Sequence, residues 1–213
     1  MAPTTKEAQR AELHKTIWRI ANDLRGSVDG WDFKSYVLGM LFYRFISENL
    51  TTYLNKAERA AGNPDFNYAD LPDSQAEFGM DDTVAEKGFF IFPSQLFVNV
   101  RERAPRDPNL NETLERVFTS IEASAVGTGS EDDLKGLFDD LDVNSSKLGP
   151  TVAKRNEKLV TLLDAIVDLP LGSFTDNTLG PRVPNAYGYM QPLGGSLKTV
   201  GSLEMFFPKL IDS

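Results

Sequence analysis

The chain has 213 residues, of which 41% are hydrophobic and 25% charged, so it is long enough to bury the core of one domain or slightly more. It contains no cysteine and one histidine, which excludes disulfides, thiol nucleophiles and the common zinc sites. Its net charge of −9 argues against nucleic acid as a partner unless that charge is unevenly distributed.

The acidic residues are concentrated in the middle of the chain. Residues 1–62 carry 9 Lys/Arg against 7 Asp/Glu, residues 63–150 carry 7 against 18, and residues 151–213 carry 6 against 6. No stretch reaches the roughly 18 to 20 apolar residues that span a bilayer, and the first residues lack the apolar run of a signal peptide. We therefore expect a soluble, cytoplasmic protein that does not enter a membrane.

Helical periodicity dominates the first third of the chain. Apolar residues of segment 8–24 recur at offsets of 4, 7 and 11, which predicts a helix that ends at Gly26. A second helix is predicted over residues 31–54, capped by Asp29 or Asp32. Its centre, residues 36–46, is apolar nearly all round, so we expect it to be buried.

The middle of the chain alternates between turns and short periodic segments. Residues 61–87 show no sustained period and are predicted to form an exposed acidic loop. Residues 88–92 suggest a short strand or extended piece, and Pro93 is placed to open a helix over 94–103. Further helices are predicted over 110–121, from a capped acidic turn at 130–133 through Leu141, and over 152–167.

These elements predict a mainly α fold, a bundle of five or six helices that ends in an irregular tail. The tail, residues 177–213, is rich in proline and glycine and shows no long periodic segment. We accordingly divide the chain into a helical domain over 1–176 and a tail over 177–213.

Four stretches carry a resemblance to a known family. Residues 12–34, which include Trp31-Asp32-Phe33, are similar to the opening of the modification (M) subunit of type I restriction-modification systems, the HsdM type. Residues 36–48, 88–97 and 133–138 resemble further landmarks of that family. The resemblance covers roughly residues 8–176 and points to the N-terminal helical domain.

The resemblance implies a role in adenine-specific DNA methylation. In that family the M subunit transfers a methyl group from S-adenosylmethionine to the exocyclic amine of adenine. A specificity subunit selects the DNA site, a second M subunit is usually present, and a restriction subunit joins for cleavage. The helical domain helps to close the assembly around DNA, while a following domain holds the cofactor and the flipped base.

The tail departs from the family pattern. Two stretches typical of the family are expected there, and residues 185–190 and 204–208 match them only imperfectly. We interpret residues 177–213 as a truncated or altered start of the linker to the methyltransferase domain, with a frameshift as the hypothesis to be tested by sequencing the gene.

The sequence contains none of the motifs that amine methylation requires. It has no Pro-Pro dipeptide, and therefore no Asx-Pro-Pro-aromatic loop, and no G-x-G-x-x-G follows a predicted strand. We expect no catalytic, cofactor-binding or metal-binding residues in this chain. S-adenosylmethionine is expected only for the full-length family member.

Basic residues on two predicted helices are candidate contacts to DNA phosphates, with solvated helix faces as the alternative. The candidates are Lys15, Arg19, Arg25, Lys34, Lys154, Arg155 and Lys158. Any such contact would position the protein on the DNA backbone and would not read the base sequence.

Several other residues favour structural roles. Arg44, inside the apolar run, is expected to be buried or interfacial and paired with Asp23 or Glu48, because an isolated buried charge is costly. His14 is interpreted as a surface or packing residue, and the aromatic residues as core rather than base-stacking groups. These aromatic residues are Trp18, Trp31, Phe33 and Tyr43.

Two competing interpretations remain. The chain could be a pure protein-interaction domain of a truncated M subunit with no DNA contact or, more remotely, a hydrolase that uses paired carboxylates. The acidic segment 65–86 could be a solvated loop, could repel stray nucleic acid, or could face a basic partner subunit.

Overall fold

A computed structural model describes residues 30–168, with side chains from residue 36 onward. This part of the chain is mainly helical and contains no strand, which confirms the predicted fold class. Short 3-10 turns connect the α-helices. The helices are α1 (Gly30–Ala60), α2 (Asp73–Ala76), α3 (Met80–Lys87), α4 (Phe97–Arg103), α5 (Leu110–Ser124), α6 (Glu131–Leu134) and α7 (Val152–Ile166).

Helix α1 is the centre of the core. Its residues 36–47 are all buried, as the apolar run predicted, and the helix packs against both α4 and α7. The Tyr43 ring meets Phe97 and Phe118 edge-on, with centroids 5.7 and 5.5 Å apart. The Tyr43 hydroxyl donates to the carbonyl of Gln95, so this buried polar group is satisfied.

Helices α5 and α7 close the other side of the core and pack against each other. Both helices occur where the apolar periodicity of the sequence predicted them. Thr151 caps the start of α7, since its side chain accepts a hydrogen bond from the amide of Lys154 at 3.3 Å. The buried residues of α5 include Leu110, Leu114, Val117, Phe118 and Ile121, and those of α7 include Leu159, Leu162, Leu163 and Ile166.

Residues 61–87 are largely exposed, as predicted, but the prediction that they form a loop is wrong. That segment contains the 3-10 turn Tyr68–Asp70, helix α2, a second 3-10 turn Glu77–Gly79, and α3. It buries only Tyr68, Ala76 and Thr83, which is too few apolar positions to produce a visible period. Its acidic residues support the helix starts, because Asp81 and Asp82 lie in the first turn of α3.

The predicted helix from Ser130 through Leu141 is also wrong in extent. Helix α6 stops after one turn, because Lys135 is extended and Gly136 takes a left-handed φ of 72°. The apolar positions were nevertheless identified correctly. The side chains of Leu134, Leu137, Phe138 and Leu141 are all buried.

Residues 88–92 were expected to form a short strand or extended piece; in the described part of the chain they form neither helix nor strand, with Gly88 left-handed and Phe92 extended. Pro93 opens a 3-10 turn rather than the helix itself. Helix α4 begins only at Phe97, because Leu96 is extended with ψ of 143°. The prediction of one helix over 94–103 is therefore corrected at its start.

The predicted helix at 8–24 and the tail 177–213 lie outside the described residues. Among helices between residues 30 and 168, none combines the length and apolar character that crossing a membrane requires.

Candidate interaction surface

The basic group on α7 is the part of the predicted DNA contact that the structure describes. Lys154 is exposed, and Lys158 and Arg155 are partly buried. Lys154 and Lys158 are four residues apart in one helix, so their side chains project from the same side. The structure therefore brings these two lysines together on the surface.

Arg155 has a different role from its neighbours. Its Nη1 donates to the carbonyl of Gly149 at 3.2 Å, across the loop that leads into α7. Its Nε is buried without a hydrogen-bond partner in the described part of the chain. Arg155 thus helps to hold the loop before α7.

A carboxylate lies between the two lysines. The Nζ of Lys154 is 2.7 Å from Oε2 of Glu157, and both side chains are largely exposed. The hydrogen bond from Lys154, followed by the charges of Lys154 and Lys158, holds the pKa of Glu157 below its usual range. This surface is therefore a mixed Lys-Glu-Lys group in which Lys154 is already paired.

The remaining candidate phosphate contacts lie elsewhere. Lys15, Arg19 and Arg25 are outside the described residues, and Lys34 lies in the first turns of α1, where only the backbone is described. His14 also lies outside this part of the chain.

Among the aromatic residues, Tyr43 is fully buried and is a core residue, as predicted. Trp18 lies outside the described residues, and the side chains of Trp31 and Phe33 are not described.

Arg44 confirms the prediction of a buried, paired arginine. It is 7% exposed, and its Nε is 2.6 Å from Oε1 of Glu48, one turn later in α1. Its Nη1 also donates to the backbone carbonyl of Ile166, at the end of α7. The guanidinium therefore ties the central helix to the last described helix.

An acidic cavity was not foreseen from the sequence. A space of about 280 Å³ opens between α5 and the turns at 138–144. Its floor includes Phe118 and Phe138, stacked with centroids 4.4 Å apart. Glu122 accepts hydrogen bonds from the amides of Gly136 at 3.2 Å and Phe138 at 3.3 Å, so its role is to hold the turn.

The acidic residues do not assemble into a metal site. Within residues 36–168, where side chains are described, no group of three or more Asp, Glu or His side chains is placed to hold a metal ion. Residues 30–168 carry 14 Lys/Arg against 24 Asp/Glu, so their surface is strongly negative. The surface charge restricts which partners this part of the chain can meet.

The comparisons with known proteins agree with this architecture. The model of the HsdM N-terminal domain family matches residues 13–166. The methylase subunit of the type I restriction enzyme MpnII of Mycoplasma pneumoniae is 48% identical over 178 residues, which cover 80% of this chain and 33% of that protein. The chain therefore spans about a third of the length of that curated relative.

A solved structure supports the fold. The type I restriction-modification methyltransferase subunit of Streptococcus thermophilus aligns with a TM-score of 0.62 over 84% of this chain and 38% of the other. At 24% identity this match speaks for the fold alone. Because the family model matches well over half of its residues, this chain belongs to the HsdM N-terminal domain family of type I restriction-modification methyltransferase subunits.

Proposed function

We propose that this chain is the helical module with which a type I adenine-specific DNA methyltransferase subunit joins its assembly and closes around DNA. Its partners would be a specificity subunit, a second M subunit and a restriction subunit, acting in the cytoplasm. Methyl transfer from S-adenosylmethionine would depend on residues outside the helical core described above.

The observation that carries this proposal is that the family match ends together with the last described helix. The match ends at residue 166, where α7 ends, and every buried core residue up to that point lies within it. A domain with its own core can act as a separate module within a larger subunit. The absence of an Asx-Pro-Pro-aromatic sequence supports placing the chemistry elsewhere.

Sedimentation velocity of the purified chain mixed with the specificity subunit tests the assembly role. We expect a new, faster boundary at micromolar concentrations, because an assembly module should bind without the rest of its subunit. Two boundaries that match the separate proteins would contradict the proposal.

The second candidate function is protein interaction without DNA contact. The observation in its favour is the ion pair between Lys154 and Glu157, which already engages one of the two lysines of this group on α7. The two candidate functions predict different effects on DNA affinity when the carboxylate of Glu157 is removed.

Glu157→Gln should increase the affinity of the assembled complex for duplex DNA. The substitution removes a negative charge and releases Lys154, so binding at low salt should tighten several-fold and the salt dependence should steepen by about one phosphate contact. Fluorescence anisotropy over a series of salt concentrations measures both. Lys158→Glu provides the opposite charge change and should weaken binding.

If both variants bind duplex with wild-type affinity at every salt concentration, the lysines do not contact DNA. That result would favour the interaction-only function.

A further inference from the structure

The most exposed large apolar side chain in the described residues is Phe78, which is 91% exposed. It lies in the 3-10 turn Glu77–Gly79, between α2 and α3. An isolated valine on a surface is ordinary, but a phenylalanine presents a much larger apolar area to water. Its exposure therefore raises the question of what covers it.

The turn that carries Phe78 is fixed on both sides. Ala76 and Thr83 are buried, and the hydroxyl of Thr83 donates to the carbonyl of Gly79 at 2.7 Å. Upstream, the carboxylate of Asp73 accepts a hydrogen bond from the amide of Ser94 at 2.8 Å. A side chain presented on a fixed turn loses little conformational freedom on binding, which is favourable for an interface anchor.

Two carboxylates follow Phe78 within about one helical turn of the chain. The backbone from Asp73 to Lys87 follows a nearly continuous helical path, so Asp81 and Asp82, three and four residues after Phe78, lie on the same side. Both are exposed, and no ion pair engages either within residues 36–168. Residues 61–86 hold seven Asp/Glu and no Lys/Arg.

The negative charge around Phe78 restricts which partners can bind there. DNA and anionic lipid would be repelled by an all-acidic border, and a second copy of this chain would bring like charges face to face. A protein surface with an apolar pocket and a Lys/Arg rim would be complementary in both shape and charge. Proteins that bind DNA carry such basic surfaces, and a DNA-binding subunit is a partner in the proposed function.

We infer that Phe78, Asp81 and Asp82 form a docking surface, the Phe78 patch, for a basic, apolar-pocketed surface on the DNA-binding subunit of the same assembly. The inference rests on the proposed function for the presence of that subunit. In the complex, the ring of Phe78 would be the anchor that the partner's pocket buries. The two carboxylates would orient the partner and exclude partners without a basic rim.

Interferometry with immobilised chain and purified specificity subunit tests the Phe78 patch. Phe78→Ala should raise the Kd at least tenfold, as expected for an aromatic anchor. Phe78→Tyr keeps the ring and should stay within about threefold of wild type. The double variant Asp81→Asn, Asp82→Asn should weaken binding and flatten its salt dependence.

Two controls separate the patch from general effects. Val126→Ala removes another exposed apolar side chain, 66% exposed and outside the patch, and should leave the Kd unchanged. The thermal melt of Phe78→Ala should match wild type, because the ring has almost no contacts to lose.

The outcomes distinguish this inference from the proposed function. If wild type binds the specificity subunit and Phe78→Ala binds equally well, the Phe78 patch is overturned while the assembly role stands. If Phe78→Ala weakens binding to a DNA duplex instead, the partner assigned here is wrong. No binding by wild type would overturn both.

Discussion

Arg44→Ala should lower the free energy of unfolding by about 3 kcal/mol, corresponding to a melting temperature lower by roughly 10 °C. The guanidinium of Arg44 bridges α1 and the end of α7, because it pairs with Glu48 and donates to the carbonyl of Ile166. Removing it leaves that buried carbonyl without its charged donor and opens a space beside the core. Urea denaturation followed by circular dichroism measures the effect.

A matched control uses a lysine whose ion pair is exposed. Lys154→Ala removes the bond to Glu157 on the surface of α7, and exposed pairs of this kind contribute about 0.5 kcal/mol or less. We therefore expect a clear separation between the two variants. If Arg44→Ala unfolds within about 1 kcal/mol of wild type, the bridge between α1 and α7 does not contribute as described.

Gly88→Ala should destabilise the fold by about 3 kcal/mol or more, for two additive reasons. Gly88 ends α3 with a left-handed φ of 80°, which a side chain disfavours. A Cβ at this position would also lie 2.0 Å from Oγ and 2.7 Å from Cβ of Ser130, so the turn before α6 would have to move. Thermal and urea denaturation measure the loss.

Gly62→Ala isolates the backbone contribution. Gly62 has a φ of 104°, and a Cβ there would meet nothing within 4 Å, so only the conformational cost of about 1 to 2 kcal/mol should remain. Adding Ser130→Gly to Gly88→Ala removes the steric conflict and should restore part of the stability, giving a non-additive double mutant. Equal effects of Gly62→Ala and Gly88→Ala would contradict the close packing of Gly88 on Ser130.

The sequence predicted the core better than it predicted the boundaries of the elements. Positions such as Leu114 on α5 and Leu163 on α7 repeat at helical spacing, and burial follows directly from that repeat. Leu137 and Phe138 were identified as core for the same reason, although Gly136 had already ended the helix before them. Hydrophobic spacing thus identifies what is buried even where the backbone between core residues turns.

The acidic segment shows where sequence patterns fail. Helices α2 and α3 bury so few residues that they lack a hydrophobic period, and their Asp and Glu residues resemble those of a loop. The sequence also could not predict that Phe78 is exposed, because phenylalanine is more often buried than exposed. The acidic cavity against α5 depends on distant turns, so no local pattern could have indicated it.

The candidate basic surface was only partly predictable. Helical spacing correctly placed Lys154 and Lys158 on one side of α7. It did not reveal that Glu157 lies against Lys154, or that Arg155 donates to Gly149. Those roles depend on rotamers and on the path of the preceding loop, which the spacing of charges does not determine.

We propose that this chain supports DNA methylation as a helical module and does not itself hold the methyl donor. Titration calorimetry of the purified 213-residue chain with S-adenosylmethionine tests it most directly. We expect no binding heat up to millimolar cofactor, with a helical circular dichroism spectrum showing that the sample is folded. Saturable binding with a micromolar Kd would show that this chain holds the methyl donor and would contradict the proposal.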